Sequence, residues 1–97
     1  MSLAGGSAPG EGNVLVDGRP VCDDSWDSQD AAVVCRMLGF VSGAPTSHSE
    51  FGPVAADFVM DDVECEGDEA DIRECQHLAG HNCGVTEGAG VRCASSE

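Results

Sequence analysis

Six cysteines in 97 residues, at positions 22, 35, 65, 75, 83 and 93, constrain this chain more than any other feature. A chain so short buries a smaller fraction of its surface than a large one and draws only modest stability from its core, so covalent cross-links are the natural supplement. An even cysteine count well above ordinary usage points to a disulfide framework, which forms and persists in an oxidising compartment outside the cell. Spacing alone leaves every pairing of the six open.

The length suits one domain. Met1-Ser2-Leu3-Ala4-Gly5-Gly6 has neither a basic start nor an apolar stretch, and the longest apolar runs, such as Ala31 to Cys35, are far too short to cross a bilayer. The chain therefore reads as a piece of a longer secreted or membrane-anchored protein. Residues 1–10 are set aside as linker or cloning remnant, with the domain over 11–94 and the Ala94-Ser95-Ser96-Glu97 end as a tail.

Charge narrows the partners. Eighteen Asp and Glu face four Arg and no lysine, a formal net charge of −14. Binding a polyanion needs clustered cations to displace its counterions, and Arg19, Arg36, Arg73 and Arg92 are scattered, so neither nucleic acid nor an anionic membrane fits. The same field attracts metal cations and basic protein patches. For most of the carboxylates solubility is role enough.

The pattern along the chain predicts few elements. Asn13-Val14-Leu15-Val16, then Asp17-Gly18, then Arg19-Pro20-Val21-Cys22 reads as a hairpin, because Asp-Gly supplies the positive φ a tight turn needs, and Pro20 makes it an edge hairpin. Asp27 or Ser28 can cap a helix running to about Leu38, with Gly39 beyond its end and Ala31, Val34, Cys35 and Leu38 on one face. Residues 40–53, rich in Gly, Ser, Pro and Thr, read as a long surface loop carrying His48 and Phe51. A strand is predicted over Asp57 to Cys65, with Phe58, Met60 and Val63 as its apolar positions and a break in alternation at Asp61-Asp62. A turn at Glu66-Gly67-Asp68, a short helical turn over Glu69 to Cys75 with Ile72 inward, and a closing strand over Gly90 to Cys93 complete the reading. No internal repeat or heptad is present.

Val21-Cys22-Asp23-Asp24-Ser25-Trp26-Asp27, followed by Asp30-Ala31-Ala32-Val33-Val34-Cys35-Arg36-Met37-Leu38-Gly39-Phe40, resembles the opening of scavenger receptor cysteine-rich domains. Met60-Asp61-Asp62-Val63-Glu64-Cys65-Glu66-Gly67, His81-Asn82-Cys83-Gly84 and Ala89-Gly90-Val91-Arg92-Cys93 follow in the family's order, so the resemblance covers residues 11–93. It implies the six-cysteine group A type, with Cys22 joined to Cys83, Cys35 to Cys93 and Cys65 to Cys75. The implied fold is α+β, a compact curved antiparallel sheet cradling one helix. Two departures stand out: the segment from Val16 to Cys22 is shorter than the family usually has, and Gly88 stands where an acidic residue is common.

Asp23 and Asp24 are the candidate site. Adjacent carboxylates repel, and a hard cation with oxygen ligands offsets that cost best. Under the implied pairing of Cys22 with Cys83, Asn82 comes beside the pair and Glu87 follows in the same loop. The resemblance implies one calcium site from Asp23, Asp24 and Glu87, and a second from Asp24, Asp61 or Asp62, and Asn82, with the loose affinity of an extracellular module. The same residues also admit a plain structural role, Asp23 and Asp24 capping the helix and Asn82 serving a turn. A rival chemistry lies in Cys75, His77, His81 and Cys83, which could mimic a zinc site. Zinc would leave four cysteines unexplained, and the reading is no zinc, with the histidines as surface loop residues.

Catalysis finds little support. The chain lacks a Gly-x-Ser-x-Gly elbow and any lysine, and every cysteine is wanted by a bridge. The reading is an extracellular, non-enzymatic protein-binding module, monomeric as an isolated domain and not inserted in a membrane. Its partners are other extracellular proteins, met through basic patches or bridging calcium. The alternative is a structural spacer that positions a neighbouring catalytic domain, since such domains accompany secreted serine proteases and lysyl oxidase-like proteins.

Overall fold

Asp17 and Gly18 both take positive φ, 55° and 79°, and this primed turn folds strand β2 (Glu11–Val16) back onto β3 (Arg19–Pro20), with Leu15 opposite Pro20 and Val16 opposite Arg19. The fold is that of a computed structural model, which describes residues 1–7, 9–78 and 83–94. β3 pairs with β2 alone, off the main path of the sheet, where a proline's missing N–H costs no ladder bond.

The main sheet runs β1 (Ser2–Ala4), β2, β7 (Gly90–Ala94), β4 (Ser42–Thr46), with every neighbour antiparallel. Residues 2–4, part of the segment expected from sequence to be linker, form an edge strand: Ser2 lies opposite Leu15, Leu3 opposite Val14 and Ala4 opposite Asn13. Leu3 packs on the core. The strand expected at the chain's end exists, yet β7 sits between β2 and β4 and closes nothing.

Strand β4 falls inside the segment read as a loop. Ser42-Gly43-Ala44-Pro45-Thr46 has little intrinsic strand preference, but a five-residue register with β7 supplies its ladder. Gly43 is there because the helix lies close: a side chain at 43 would overlap Cys35 Sγ. A composition that looks like a loop is thus what lets this strand approach a bridged cysteine.

Helix α1 spans Ser28–Met37. Asp27 caps it, accepting from the backbone N–H of Gln29 and Asp30 at 3.1 and 3.2 Å, and Asp30 returns the favour by accepting from Asp27 N–H at 2.8 Å. Gly39, φ 92°, follows the C-cap Leu38. The buried face holds Ala31, Val34 and Cys35 as the periodicity predicts, together with Val33 and Asp30, while Leu38 is half-buried. Asp30 is the surprise. Its other oxygen accepts from Cys65 N–H at 2.7 Å, and burial pushes its carboxyl up to about 7 despite that bond and the one from Asp27.

Beyond the helix, β5 (Asp61–Glu64) and β6 (Gln76–Leu78) make a two-stranded sheet with an irregular register between Asp61 and Glu64. The predicted strand is shorter than expected, and its imperfect alternation has a cause in Asp62, whose φ is 51°. A 3₁₀ turn, Ile72–Glu74, buries Ile72. The disulfides join Cys22 to Cys83, Cys35 to Cys93 and Cys65 to Cys75, with Cα separations of 6.2, 5.5 and 4.7 Å. The core around them is valine-rich: Val14, Val16, Val21, Val33, Val34, Val63 and Val91 are all buried.

Candidate metal site

Two backbone bridges thread residues 21–23 between remote segments. Val21 lies parallel to Met60 and Cys22 antiparallel to Gly88. Cys22 N–H donates to the Met60 carbonyl at 2.9 Å, Asp23 N–H to the Glu87 carbonyl at 2.9 Å, and Ala89 N–H to the Val21 carbonyl at 2.8 Å. A strand-like segment so held on both flanks must place the side chains after it beside those after Met60 and before Gly88.

The consequence is a concentration of negative charge. Carboxylate oxygens of Asp23, Asp24 and Glu87 lie within 4.8 Å of one another, and Asp24 and Asp61 meet the same limit. Asp24 is the centre. Partial burial raises its carboxyl above the ordinary value, and Asp61, Asp23, Asp62 and Glu87 raise it further, in that order. Each neighbour is itself positioned. Asp23 Oδ2 accepts from His48 N–H at 2.7 Å, with the His48 ring Nδ1 at 3.6 Å. Glu87 Oε1 accepts from Gly84 N–H at 2.9 Å. Asp61, only 4% exposed, accepts from Asp62 N–H at 2.7 Å, and Asp62 Oδ1 takes a longer bond from the Ser25 hydroxyl at 3.3 Å.

Asp23, Asp24, Glu87, Asp61 and Asp62 are therefore brought together, while Asn82 lies outside the described residues. Asp27 performs the capping, not Asp23 or Asp24. The two thiols of the zinc alternative, Cys75 and Cys83, are spent in bridges to Cys65 and Cys22, and His81 also lies outside the described residues. His77 faces its own backbone, with Nδ1 2.8 Å from the Cys75 carbonyl.

Sequence reasoning missed the support around the cluster. Ser25, His48 and Ser49 take positive φ, at 64°, 55° and 49°. Ser49 Oγ links Gly88 N–H, at 2.8 Å, to the Val85 carbonyl, at 2.9 Å, and so fixes the loop that carries Glu87. Nothing in a Ser-Pro-Thr-rich stretch announces such contacts.

The donor set suits a hard divalent cation. It offers converging carboxylate oxygens, and among the described residues no arginine pairs with them. Each arginine is engaged elsewhere: Arg19 with Asp57 at 2.9 Å, Arg73 with Asp71 at 3.0 Å, Arg36 with the Glu69 carbonyl at 3.0 Å, and Arg92 with Glu11 and Glu50 while lying over the Phe51 ring. Calcium fits these residues by charge and by ligand hardness.

Comparison with known proteins gives a consistent picture. The family profile described as "Scavenger receptor cysteine-rich domain" matches residues 4–94. A "Scavenger receptor cysteine-rich domain superfamily protein" of Patiria pectinifera is 47% identical over 96% of this chain, and the "Macrophage receptor MARCO" of Mesocricetus auratus 37% identical over 96%. This chain spans only 9% and 20% of those two proteins. Among solved structures, the third SRCR domain of murine neurotrypsin superposes with a TM-score of 0.84 at 36% identity, covering 98% of this chain and 95% of the other. The dimeric form of the SRCR domain of mouse MARCO gives 0.77 at 35% identity, covering 97% and 94%.

Proposed function

This chain belongs to the scavenger receptor cysteine-rich family, and from that premise we propose that it is an extracellular protein-binding module whose acidic face takes calcium and, with or through it, basic groups of a partner protein. Three disulfides and no free cysteine suit an oxidising, extracellular setting. No helix among the described residues is long and apolar enough to cross a membrane. Binding rather than catalysis is the reading, as the receptor name of the hamster relative suggests.

The observation that carries this is the convergence of Asp61, Asp23, Asp62 and Glu87 on Asp24. Four negative neighbours around one carboxylate are unfavourable unless a cation compensates them, and every arginine is occupied. In this reading Asp23, Asp24 and Glu87 hold one calcium ion, and Asp24, Asp61 or Asp62, and Asn82 a second. The test is partner binding with and without chelator, on wild type and Glu87→Ala. Loss in both supports bridging metal; stronger binding to a basic partner after chelation assigns the contact to bare carboxylates. If substitution at Asp23, Asp24 and Glu87 leaves the parent protein's function intact, the domain is a spacer. We take the isolated domain as a monomer, which sedimentation checks against the dimeric form described for mouse MARCO.

A further inference from the structure

Beside the carboxylate cluster lies a groove of about 390 Å³, lined by Asp62 and Glu64 of β5 and by Gln76, His77 and Leu78 of β6. Its two walls differ in kind. The β5 wall is anionic, and Asp62 belongs at once to the groove and to the charges that surround Asp24. On the β6 wall all three residues are exposed, and Leu78, 55% accessible, is among the few large apolar side chains this chain presents to water.

We propose that this groove docks an extended segment of a partner protein carrying an arginine and an aliphatic residue two positions apart. Three observations select that occupant. First, acceptors predominate among the polar groups: two carboxylates, the Gln76 amide oxygen beside its own NH₂, and His77 Nε2. In the neutral ring the last accepts, because a carbonyl can only accept and the His77 Nδ1 that meets the Cys75 carbonyl therefore carries the proton. Second, no hydrogen bond among the described residues occupies the side chains of Glu64 or Gln76, and no arginine of this chain reaches them. A guanidinium, with five donors in a planar fork, meets several acceptors at once where an ammonium meets them as a point charge. Third, Leu78 gives the opposite wall an apolar landing, and in an extended chain residues i and i+2 project to the same side.

This inference rests on the protein-binding reading above and adds to it the side-chain class that is read next to the metal. It requires no calcium in the groove itself.

The test uses the whole chain, isotopically labelled, and the peptide acetyl-Gly-Arg-Ser-Leu-Gly-amide, with serine-for-arginine and lysine-for-arginine versions as controls. Peptide-induced amide shifts centred on Glu64, Gln76 and Leu78, weaker with lysine and absent with serine, are expected. Glu64→Gln and Leu78→Ser each weaken binding about tenfold, the scale of losing one buried anchor or charge-assisted contact. Neither changes the calorimetric calcium isotherm. Shifts centred elsewhere, or shifts at Leu78 that grow with protein concentration in the absence of peptide, overturn the proposal, the latter in favour of self-association. If wild type gives peptide shifts but no calcium heat, the groove stands and the metal reading falls; calcium heat without peptide shifts has the reverse meaning.

Discussion

The Asp23 amide donates to the Glu87 carbonyl at 2.9 Å, so two acidic residues more than sixty positions apart in the chain are registered by their backbones and not by their side chains. That bond keeps the carboxylates adjacent whether or not a cation is present. A site assembled this way is preorganised, and its repulsion is built into the folded state.

From this follows a substitution whose sign depends on calcium. Asp24 has a raised carboxyl pKa, so its contribution to stability is fully present below the ordinary value of 3.8 and is lost as pH rises through the raised value. At neutral pH the charge at 24 therefore destabilises the metal-free domain. Asp24→Asn should melt higher than wild type in chelator, and thermal melts at pH 7 check this. With calcium at ten times its dissociation constant, mass action stabilises wild type by about 1.4 kcal/mol, several degrees for a domain of this size, and the variant should show no such gain.

Asp30 carries a second pH dependence of the same sign. Its carboxyl, raised from 3.8 to about 7 by burial, stabilises the fold most below pH 4 and progressively less up to about pH 7. Asp30→Asn should flatten the stability profile over that window in denaturant melts. It should also cost on the order of 1–3 kcal/mol, since one of the two N–H groups now served, those of Asp27 and Cys65, is left facing an amide NH₂.

Reduction should unfold the domain. The Cys22–Cys83 and Cys35–Cys93 bridges span 61 and 58 positions, and each constrains the unfolded chain by roughly 4 kcal/mol on the entropy account, a large share of the stability of any small domain. Far-ultraviolet circular dichroism in excess reductant should lose its native form, and retention of that form would refute the expectation.

Gly43→Ala tests the close approach of β4 to the helix. Its methyl would overlap Cys35 Sγ, and overpacking of this kind costs about 1–3 kcal/mol. A melting temperature equal to wild type would show that the strand can move away freely.

Much of this was legible in the sequence, for physical reasons. Asp-Gly at 17 and 18, the cap at Asp27 and the apolar face of residues 31–35 are local signals, and each element formed where its signal lies. The cysteine framework and the grouping of Asp23, Asp24, Asp61, Asp62 and Glu87 came through resemblance, since spacing alone could not choose the pairing. What stayed hidden is non-local. Strand β4 depends on its ladder with β7 and not on its own residues. The ordering of Ser2-Leu3-Ala4 depends on β2. Asp30 stands in the sequence only as part of a family motif, and its bond to Cys65 crosses 35 positions.

The central claim, that the carboxylates around Asp24 bind calcium, is most directly met by titrating calcium into wild type and Asp24→Ala by calorimetry. The account predicts a saturable heat with wild type, at a dissociation constant on the order of 10⁻⁴ to 10⁻³ M, and only dilution heat with the variant. Identical isotherms for the two proteins would contradict it.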